Sequence, residues 1–210
     1  MFNEKELDAL RDGIRVGMSE KRFRHTYEVE KMVVYLAGLY MPEKTDMLRA
    51  AALLHDVTKE FSTEEHIRIL IERGVEVSEE DICSPKTLHA RSAVALIPER
   101  YESFATDEVL SCVRWHTTGR SDMTLSEKLI YLADYIDLSR TFDDCVKLRE
   151  AFMGAEPEKM SMEERLLHLD KILIMSFDMT MSGLLNDGLP ISHYTVDARN
   201  SLICKKLLSR

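Results

Sequence analysis

Apolar residues recur along most of this chain at the spacing of helices. Val29, Met32, Val33 and Leu36, for example, share one face because helical residues three, four and seven apart lie on the same side. Together with Ser and Thr caps and with Gly and Pro stops, this spacing predicts helices near residues 4–13, 19–42, 46–59, 62–72, 87–97, 107–116, 126–138 and 162–185, and from Thr195 onward. No segment alternates as a half-buried strand does, so the sequence predicts an all-α bundle.

The chain of 210 residues suits a single domain with one sizeable core. We expect that core to span about residues 19–145, with C-terminal helices at about 160–208 packing on it. Two stretches interrupt the helical pattern. EVSEEDICSPKT, at residues 76–87, predicts a loop or a brief turn of helix, and FMGAEPEKMS, at residues 152–161, predicts a connector.

Charge and cysteine content narrow the functional classes. With 28 basic and 37 acidic residues the net charge is −9, which argues against a general nucleic-acid binder because such a protein needs a basic face to replace phosphate counterions. Four cysteines without a CxxC motif favour a reduced, cytoplasmic protein over a disulfide scaffold. No apolar run reaches the length of a membrane span. The oligomeric state, a homodimer included, stays open.

Six ionisable side chains fall on faces that the apolar spacing predicts to be buried. A lone histidine on such a face is more often a hydrogen-bonded core residue than a ligand. We interpret His66 and His168 as structural or surface residues. A buried unpaired carboxylate is costly, however, and a shared metal centre would satisfy all six groups. Imidazole with carboxylate suits Fe, Mn, Co or Zn rather than Mg or Ca. The six candidates are His25, His55, Asp56, His89, His116 and Asp134.

These residues lie in motifs that resemble a known family. The chain is similar to the HD-domain metallophosphohydrolase superfamily in its binuclear form, and more closely to its branch of symmetrical diadenosine tetraphosphate hydrolases, in the stretches KRFRHTYEVE, AALLHDVTKEF, LHARSAV, VRWHTTGRSDMTLSEKLIYLADYID and VDARN. The dipeptide HD alone is a weak signal, whereas the ordered set with HTTGR and LADYID is specific. The resemblance implies an HD-domain helical bundle.

The resemblance also implies how the six candidates share two metal ions. One ion would be held by His25, His55, Asp56 and Asp134, and the second by Asp56, His89 and His116. The family implies iron, while manganese and cobalt remain alternatives because the ligand types do not separate them.

Cationic and hydroxyl side chains near these ligands are candidates for binding phosphate. Lys59 lies one turn beyond His55, and Arg22 lies one turn before His25, so each would face the same way as its neighbouring ligand. A solvated surface side chain is the alternative for both. For Arg140 the alternative is an ordinary salt bridge with Asp143 or Asp144. The full set of candidate substrate contacts is Arg22, Lys59, His116, Thr117, Arg120, Asp137, Arg140 and Thr195.

The resulting hypothesis is a hydrolase acting on a dinucleoside polyphosphate, whose site would also hold an ADP- or GDP-like nucleotide. Two ions would activate a shared water, which attacks a phosphorus of the chain in line and yields two ADP. Asp56 would bridge the ions and accept the proton of the water, and Lys59 would hold a non-bridging oxygen. The alternatives are an HD phosphohydrolase of a mononucleotide or an alarmone, and a non-catalytic nucleotide-binding protein. The chain departs from the family pattern at Asp144, Cys145 and Tyr194.

Overall fold

The computed structural model describes residues 2–208, and within this range the chain forms helices and no strand. The all-α prediction is therefore confirmed. The α-helices of this range are α1 Glu4–Arg15, α2 Glu20–Tyr40, α3 Thr45–Leu54, α4 Thr63–Glu72, α5 Glu79–Cys83, α6 Leu88–Arg100, α7 Asp107–Trp115, α8 Leu125–Ile136, α9 Asp143–Met153, α10 Met162–Asn186 and α11 His193–Leu208. None of them is both long enough and apolar enough to cross a bilayer.

Side-chain caps start the helices where the sequence predicts them. The side chain of Ser19 accepts a hydrogen bond from the backbone N–H of Arg22 at the start of α2, and Ser62 accepts one from Glu65 at the start of α4. These bonds satisfy backbone donors that have no partner inside the helix. The stretch at residues 76–87 forms the short helix α5 and a 3₁₀ turn, as the prediction of a brief helical turn allowed.

Three elements differ from the prediction. Helix α3 ends at Leu54 rather than near Lys59, because residues 55–60 form turns whose backbone hydrogen bonds span three residues, such as Lys59 N–H to the carbonyl of Asp56. Helix α11 begins at His193, so that Thr195 lies in its first turn and does not cap it. Helix α9 was not predicted, because its few buried positions are separated by charged residues and no side chain caps its start.

The helices that carry the six candidate residues pack on one another. Helix α2 packs against α3 and α8, α3 against α7, and α7 against both α6 and α8. Helix α8 is buried on nearly all sides, with Leu129, Ile130, Leu132 and Ala133 inaccessible to solvent. This arrangement brings faces of five helices to one point in the bundle. Helix α10 packs against α9 and α11 and completes the C-terminal part of the fold.

Gly119 joins the loop after α7 to this C-terminal part. Its φ of +65° lies in the left-handed region, which residues with a Cβ seldom adopt. A Cβ added to Gly119 would lie 2.8 Å from Cζ of Phe177 in α10 and 3.0 Å from Cβ of Ala198 in α11. The backbone turn within HTTGR therefore needs glycine, both for its conformation and for the close approach of two other helices.

Candidate metal centre

The six candidate side chains converge inside the bundle, and none is more than 8% exposed. His25 comes from α2, His89 from α6 and Asp134 from α8, while His55 and His116 are the residues that end α3 and α7. The prediction that these residues face inward is confirmed.

One half of the cluster forms around Asp134. Its Oδ1 lies 2.9 Å from Nε2 of His25 and 3.7 Å from Nε2 of His55. Oδ2 of Asp56 approaches the same two rings, at 3.7 Å from His25 and 3.4 Å from His55. Two imidazole nitrogens and two carboxylate oxygens thus share one small volume.

The other half of the cluster forms around the second oxygen of Asp56. Oδ1 of Asp56 lies 3.3 Å from Nε2 of His89 and 3.7 Å from Nε2 of His116. The Nε2 atoms of His89 and His116 are themselves 3.0 Å apart. The carboxylate of Asp56 therefore stands between two pairs of histidines and presents a different oxygen to each pair.

Backbone carbonyls orient three of the four rings. The Nδ1 atoms of His55, His89 and His116 lie 2.6–2.8 Å from the carbonyl oxygens of Ala52, Lys86 and Val113. Since a carbonyl only accepts, each Nδ1 carries the proton, and Nε2 is left with its lone pair towards the cluster. Histidines that bind a metal through one ring nitrogen usually donate a hydrogen bond from the other, as Nδ1 does in these three rings.

A divalent metal ion fits this donor set. Nε2 of His55 and Oδ1 of Asp56 are buried without a hydrogen-bond partner within residues 2–208, which is costly unless something else binds them. Two triads have ligand atoms that all lie within 4.8 Å of one another: His25, His55 and Asp134, and His55, Asp56 and His116. Nitrogen and carboxylate oxygen ligands at this spacing suit a first-row transition metal.

The electrostatics of the cluster also favour a cation. Although burial alone would raise it, the pKa of Asp134 is held well below its usual range by the guanidinium of Arg140 and by His25. Histidine neighbours hold the pKa of Asp56 well below its usual range in the same way, again against the effect of burial. Burial lowers the pKa of His116, and burial with the ammonium of Lys59 lowers that of His89 well below its usual value. The carboxylates act in the opposite direction on the other two rings. Against the effect of burial, Asp134 and Asp137 raise the pKa of His25. Asp56 and Asp134 likewise raise the pKa of His55 to about 10, again against the effect of burial. The carboxylates thus attract a positive charge to this position, and a metal ion would replace the proton, because metals bind anionic carboxylates and neutral imidazoles.

Three cationic side chains border the cluster. Arg22 donates to Oδ2 of Asp56, and Nη2 of Arg140 lies 2.5 Å from Oδ1 of Asp134. Nζ of Lys59 lies 3.2 Å from Nε2 of His89. All three retain some solvent exposure, whereas the two carboxylates that they approach are buried. The cluster therefore has a positively charged border on its accessible side.

The other candidate contacts divide into two groups. Oγ1 of Thr117 lies 3.1 Å from Nε2 of His89 and 3.0 Å from Nε2 of His116, so it borders the cluster. Arg120 instead pairs with Glu127, and the hydroxyl of Thr195 donates to the backbone carbonyl of Thr118. Neither of these two side chains is brought to the histidines.

Asp137 is fully buried and lies behind the cluster. Its Oδ2 is 3.3 Å from Nδ1 of His25, the ring nitrogen that faces away from Asp134, and its Oδ1 accepts from Ser139. Sequence reasoning missed Ser139, whose Oγ is 3.2 Å from the same Nδ1. It also missed Arg149, which donates to the carbonyls of Asp137 and Arg140 and so fixes the loop after α8. Nothing in the local sequence links Arg149 to that loop.

Two of the three histidines outside the cluster, His66 and His168, are structural. His66 is 4% exposed, and its Nδ1 lies 2.7 Å from Oγ of Ser92. His168 stacks on Phe152 and donates to its backbone carbonyl.

A cavity of about 280 Å³ adjoins the cluster at Thr117. We call it the Thr117 cavity. Its wall is largely apolar and includes Pro85, Tyr135, Leu184, Leu189 and Pro190. A pocket with apolar walls and a few polar groups at one end is typical of a small-molecule site.

Known proteins are similar to this chain in sequence and in fold. The family model described as "HD domain" matches residues 22–139, which contain all six clustered residues. A protein of Halalkalibacterium halodurans named bis(5'-nucleosyl)-tetraphosphatase, symmetrical, is 30% identical over 92% of this chain and 95% of its own length. A Staphylococcus aureus protein of the same name is 33% identical over 63% of this chain and 67% of its own length.

A solved structure is similar along almost the whole chain. It is a protein from Clostridium acetobutylicum described as a predicted HD superfamily hydrolase involved in NAD metabolism. It is 33% identical, covers 98% of this chain and 99% of its own, and superposes with a TM-score of 0.81. From the family match, the relatives and the cluster geometry together, the chain belongs to the HD domain family of hydrolases, in the branch that its relatives named symmetrical bis(5'-nucleosyl)-tetraphosphatase represent.

Proposed function

We propose that this chain hydrolyses dinucleoside tetraphosphates symmetrically, cleaving diadenosine tetraphosphate to two ADP. The observation that carries the proposal is the position of Asp56, whose Oδ2 faces His25 and His55 while its Oδ1 faces His89 and His116. A carboxylate in this position is suited to bridge two ions. The names of the relatives support the substrate class.

We infer that the six clustered residues share two metal ions in the way that the family resemblance implies. His25, His55, Asp56 and Asp134 would hold one, and Asp56, His89 and His116 would hold the other. Iron is the metal proposed, with manganese and cobalt as the alternatives that the same ligands accept. Bound divalent metal supplies Lewis acidity, which lowers the pKa of water and offsets negative charge on phosphate.

The chain's own cations would position the phosphate chain. Lys59, Arg22 and Arg140 lie on the accessible side of the cluster and carry donors that match phosphate oxygens. Lys59 is the nearest of the three to His89, and we assign it a non-bridging oxygen of the phosphate under attack. We assign the proton of the attacking water to the carboxylate of Asp56, and the absence of a hydrogen-bond partner for its Oδ1 within residues 2–208 supports this role.

The Thr117 cavity would bind one nucleoside of the substrate. It opens beside His89 and His116 through Thr117, and Tyr135, Pro85 and Leu189 offer apolar faces to a planar base. A base held there would place its phosphates next to the metal ligands. The hydroxyls of Ser192 and Thr87 in the same wall are suited to polar groups of the nucleoside.

The intracellular setting is part of the proposal. The four cysteines are free, and Cys83 and Cys204 are exposed. Exposed free thiols suit the reducing environment of the cytoplasm, where we place this protein.

The proposal is tested by comparing the rates at which the metal-loaded protein cleaves different nucleotides. Protein loaded anaerobically with ferrous iron is incubated with diadenosine tetraphosphate, ATP, a guanosine alarmone and NAD, and the kcat/KM of each is measured. We expect diadenosine tetraphosphate to be the preferred substrate and an Asp56→Ala variant to lose its cleavage. A higher kcat/KM for ATP, for the alarmone or for NAD would overturn the assignment.

A further inference from the structure

A second cavity lies next to the Thr117 cavity. It measures about 380 Å³, within the range of ligand-binding pockets, and is bounded by residues from before α5, from α7 and from the start of α11. Four residues line both cavities: Ser84, Thr87, Thr118 and Ser192. The Thr117 cavity is itself lined by Thr117, whose hydroxyl lies 3.1 Å from Nε2 of His89. The second cavity is therefore one wall away from a cavity that borders the metal centre. We call it the Arg114 cavity.

Arg114 enters this cavity without an anionic partner. Its guanidinium carbon lies 4.1 Å from the ring centroid of Trp115 and 5.4 Å from that of Tyr194, and it makes no hydrogen bond or ion pair with another side chain within residues 2–208. Burial lowers the pKa of Arg114 to about 10, which leaves it charged at neutral pH. A partly buried guanidinium normally pairs with a carboxylate. Because Arg114 makes no such pair among the residues that the structure describes, its N–H donors are available to a ligand.

Aromatic rings extend this surface. The ring centroids of His193 and Tyr194 are 3.9 Å apart, and Tyr194 meets Trp115 edge-on with centroids 5.0 Å apart. Tyr194 and Arg114 thus present a ring and a planar cation to the same cavity. Nucleobases released from a duplex are bound on surfaces of this kind, by stacking on aromatic rings and on guanidinium planes.

Carboxylates in the wall of the same cavity decide against a phosphate ligand. Glu76, Glu80 and Asp81 all line the cavity. Asp81 pairs with Arg91, and Glu80 pairs with His193 through one of its oxygens. A phosphate group would meet this negative charge, whereas a neutral nucleoside would offer donors to it. The amino group of a base and the hydroxyls of ribose are such donors, and the ring nitrogens of the base accept from Arg114.

We propose that the Arg114 cavity binds the second nucleoside of the substrate, with the base against Tyr194 and Arg114 and with ribose or amino donors towards Glu76 and Glu80. The inference rests on the proposed function and deepens it. A dinucleoside tetraphosphate would bind folded, with its bases in two adjacent cavities and its phosphate chain at the metal centre. Arg114 and Tyr194 would then select substrates that carry two nucleosides.

The test compares a ligand with two nucleosides to a ligand with one. Metal-loaded wild type and an Arg114→Met variant, which keeps the apolar stem, are assayed for the KM of diadenosine tetraphosphate and for the inhibition constant of adenosine 5'-tetraphosphate as a competitor. We expect the KM to rise about 5- to 100-fold, the range for losing one stacked base, with kcat and the inhibition constant unchanged. Arg68→Met, at an exposed arginine on α4, is the matched control and should change neither constant.

A second variant separates recognition from folding. Tyr194→Ala removes the ring and leaves Arg114, and we expect the same selective rise in KM. An unchanged inhibition constant for adenosine 5'-tetraphosphate shows that the metal centre and the Thr117 cavity are intact. If both constants rise together in both variants, or neither changes, the inference is overturned while the proposed function stands. Wild type that does not cleave diadenosine tetraphosphate would overturn the proposed function and with it this inference.

Discussion

Nζ of Lys59 lies 3.2 Å from Nε2 of His89, so a cation touches a residue that also belongs to the metal cluster. Lys59 lies in the turns that follow α3, four residues after His55. Two positive groups, an ammonium and a metal ion, would then lie close together. Such an arrangement is useful where a polyanion binds, because the anion offsets the repulsion between them.

Lys59→Met is expected to lower kcat for diadenosine tetraphosphate about 100-fold or more, the usual effect of removing one donor to a developing negative charge. Metal content should stay at the wild-type level, because Lys59 is not a ligand. Steady-state kinetics together with metal analysis of the purified variant measure both. Lys147→Met, at an exposed lysine on α9, is the control and should behave as wild type. Loss of metal from Lys59→Met would show that Lys59 acts on the metal site instead.

Substitutions of the ligands should remove metal unequally. His89 belongs to one proposed ion only, so His89→Ala is expected to retain the other ion. Asp56 faces both pairs of histidines, so Asp56→Ala is expected to retain less metal than His89→Ala. Metal per chain, measured by plasma mass spectrometry after desalting, distinguishes the two variants. Equal losses in both would argue against a bridging role for Asp56.

His66 should make stability depend on pH. Burial lowers its pKa below the usual value of about 6.5, and Lys59 acts in the same direction while Glu65 opposes it. As the pH falls below about 6.5, the unfolded chain binds a proton that folded His66 does not, so folding becomes less favourable. The stabilisation is therefore present above this pH and is lost below it. We expect the difference in melting temperature between wild type and His66→Asn to shrink from about pH 7.5 to about pH 5.5.

Differential scanning calorimetry of both proteins across that range measures the difference directly. The metal-cluster histidines are present in both proteins, so their titration cancels in the comparison. A constant difference between the two curves would show that His66 is protonated equally in the folded and unfolded chains.

Gly119→Ala should destabilise the fold by about 2–4 kcal/mol. The left-handed backbone costs a non-glycine residue about 1–3 kcal/mol, and the added Cβ would also overlap Phe177 and Ala198. Urea unfolding measures the change in the free energy of unfolding. Gly183→Ala is the control, because Gly183 is exposed in α10 with nothing near its added Cβ, and alanine there should stabilise by up to about 1 kcal/mol. A Gly119→Ala protein as stable as the control would contradict the tight contact.

Local spacing was sufficient to predict much of this structure, because the decisive signals lie within one helix. The burial of His25 and Asp134 follows from their positions on apolar faces, and Ser19 and Ser62 cap helices as their sequence positions indicate. Helix α3 ends earlier than predicted because the chain after Leu54 forms turns with three-residue backbone bonds, which an apolar pattern does not distinguish from a continuing helix.

Contacts between distant residues account for what the sequence did not predict. Arg120 seemed free for phosphate within HTTGR, yet it pairs with Glu127, which is buried where α7 and α8 meet. Arg149 and Ser139 support the ligands only through the loop after α8. The Arg114 cavity is formed by segments about eighty residues apart, and no local pattern joins them.

The nucleotide products of diadenosine tetraphosphate test the central claim most directly. Iron-loaded wild type and the Asp56→Ala variant are incubated with the substrate under anaerobic conditions, and the products are resolved by ion-exchange chromatography. We predict ADP as the sole product of wild type and no cleavage by the variant. AMP and ATP in equal amounts would contradict symmetrical attack, and uncleaved substrate in the presence of metal-loaded wild type would contradict the proposed function itself.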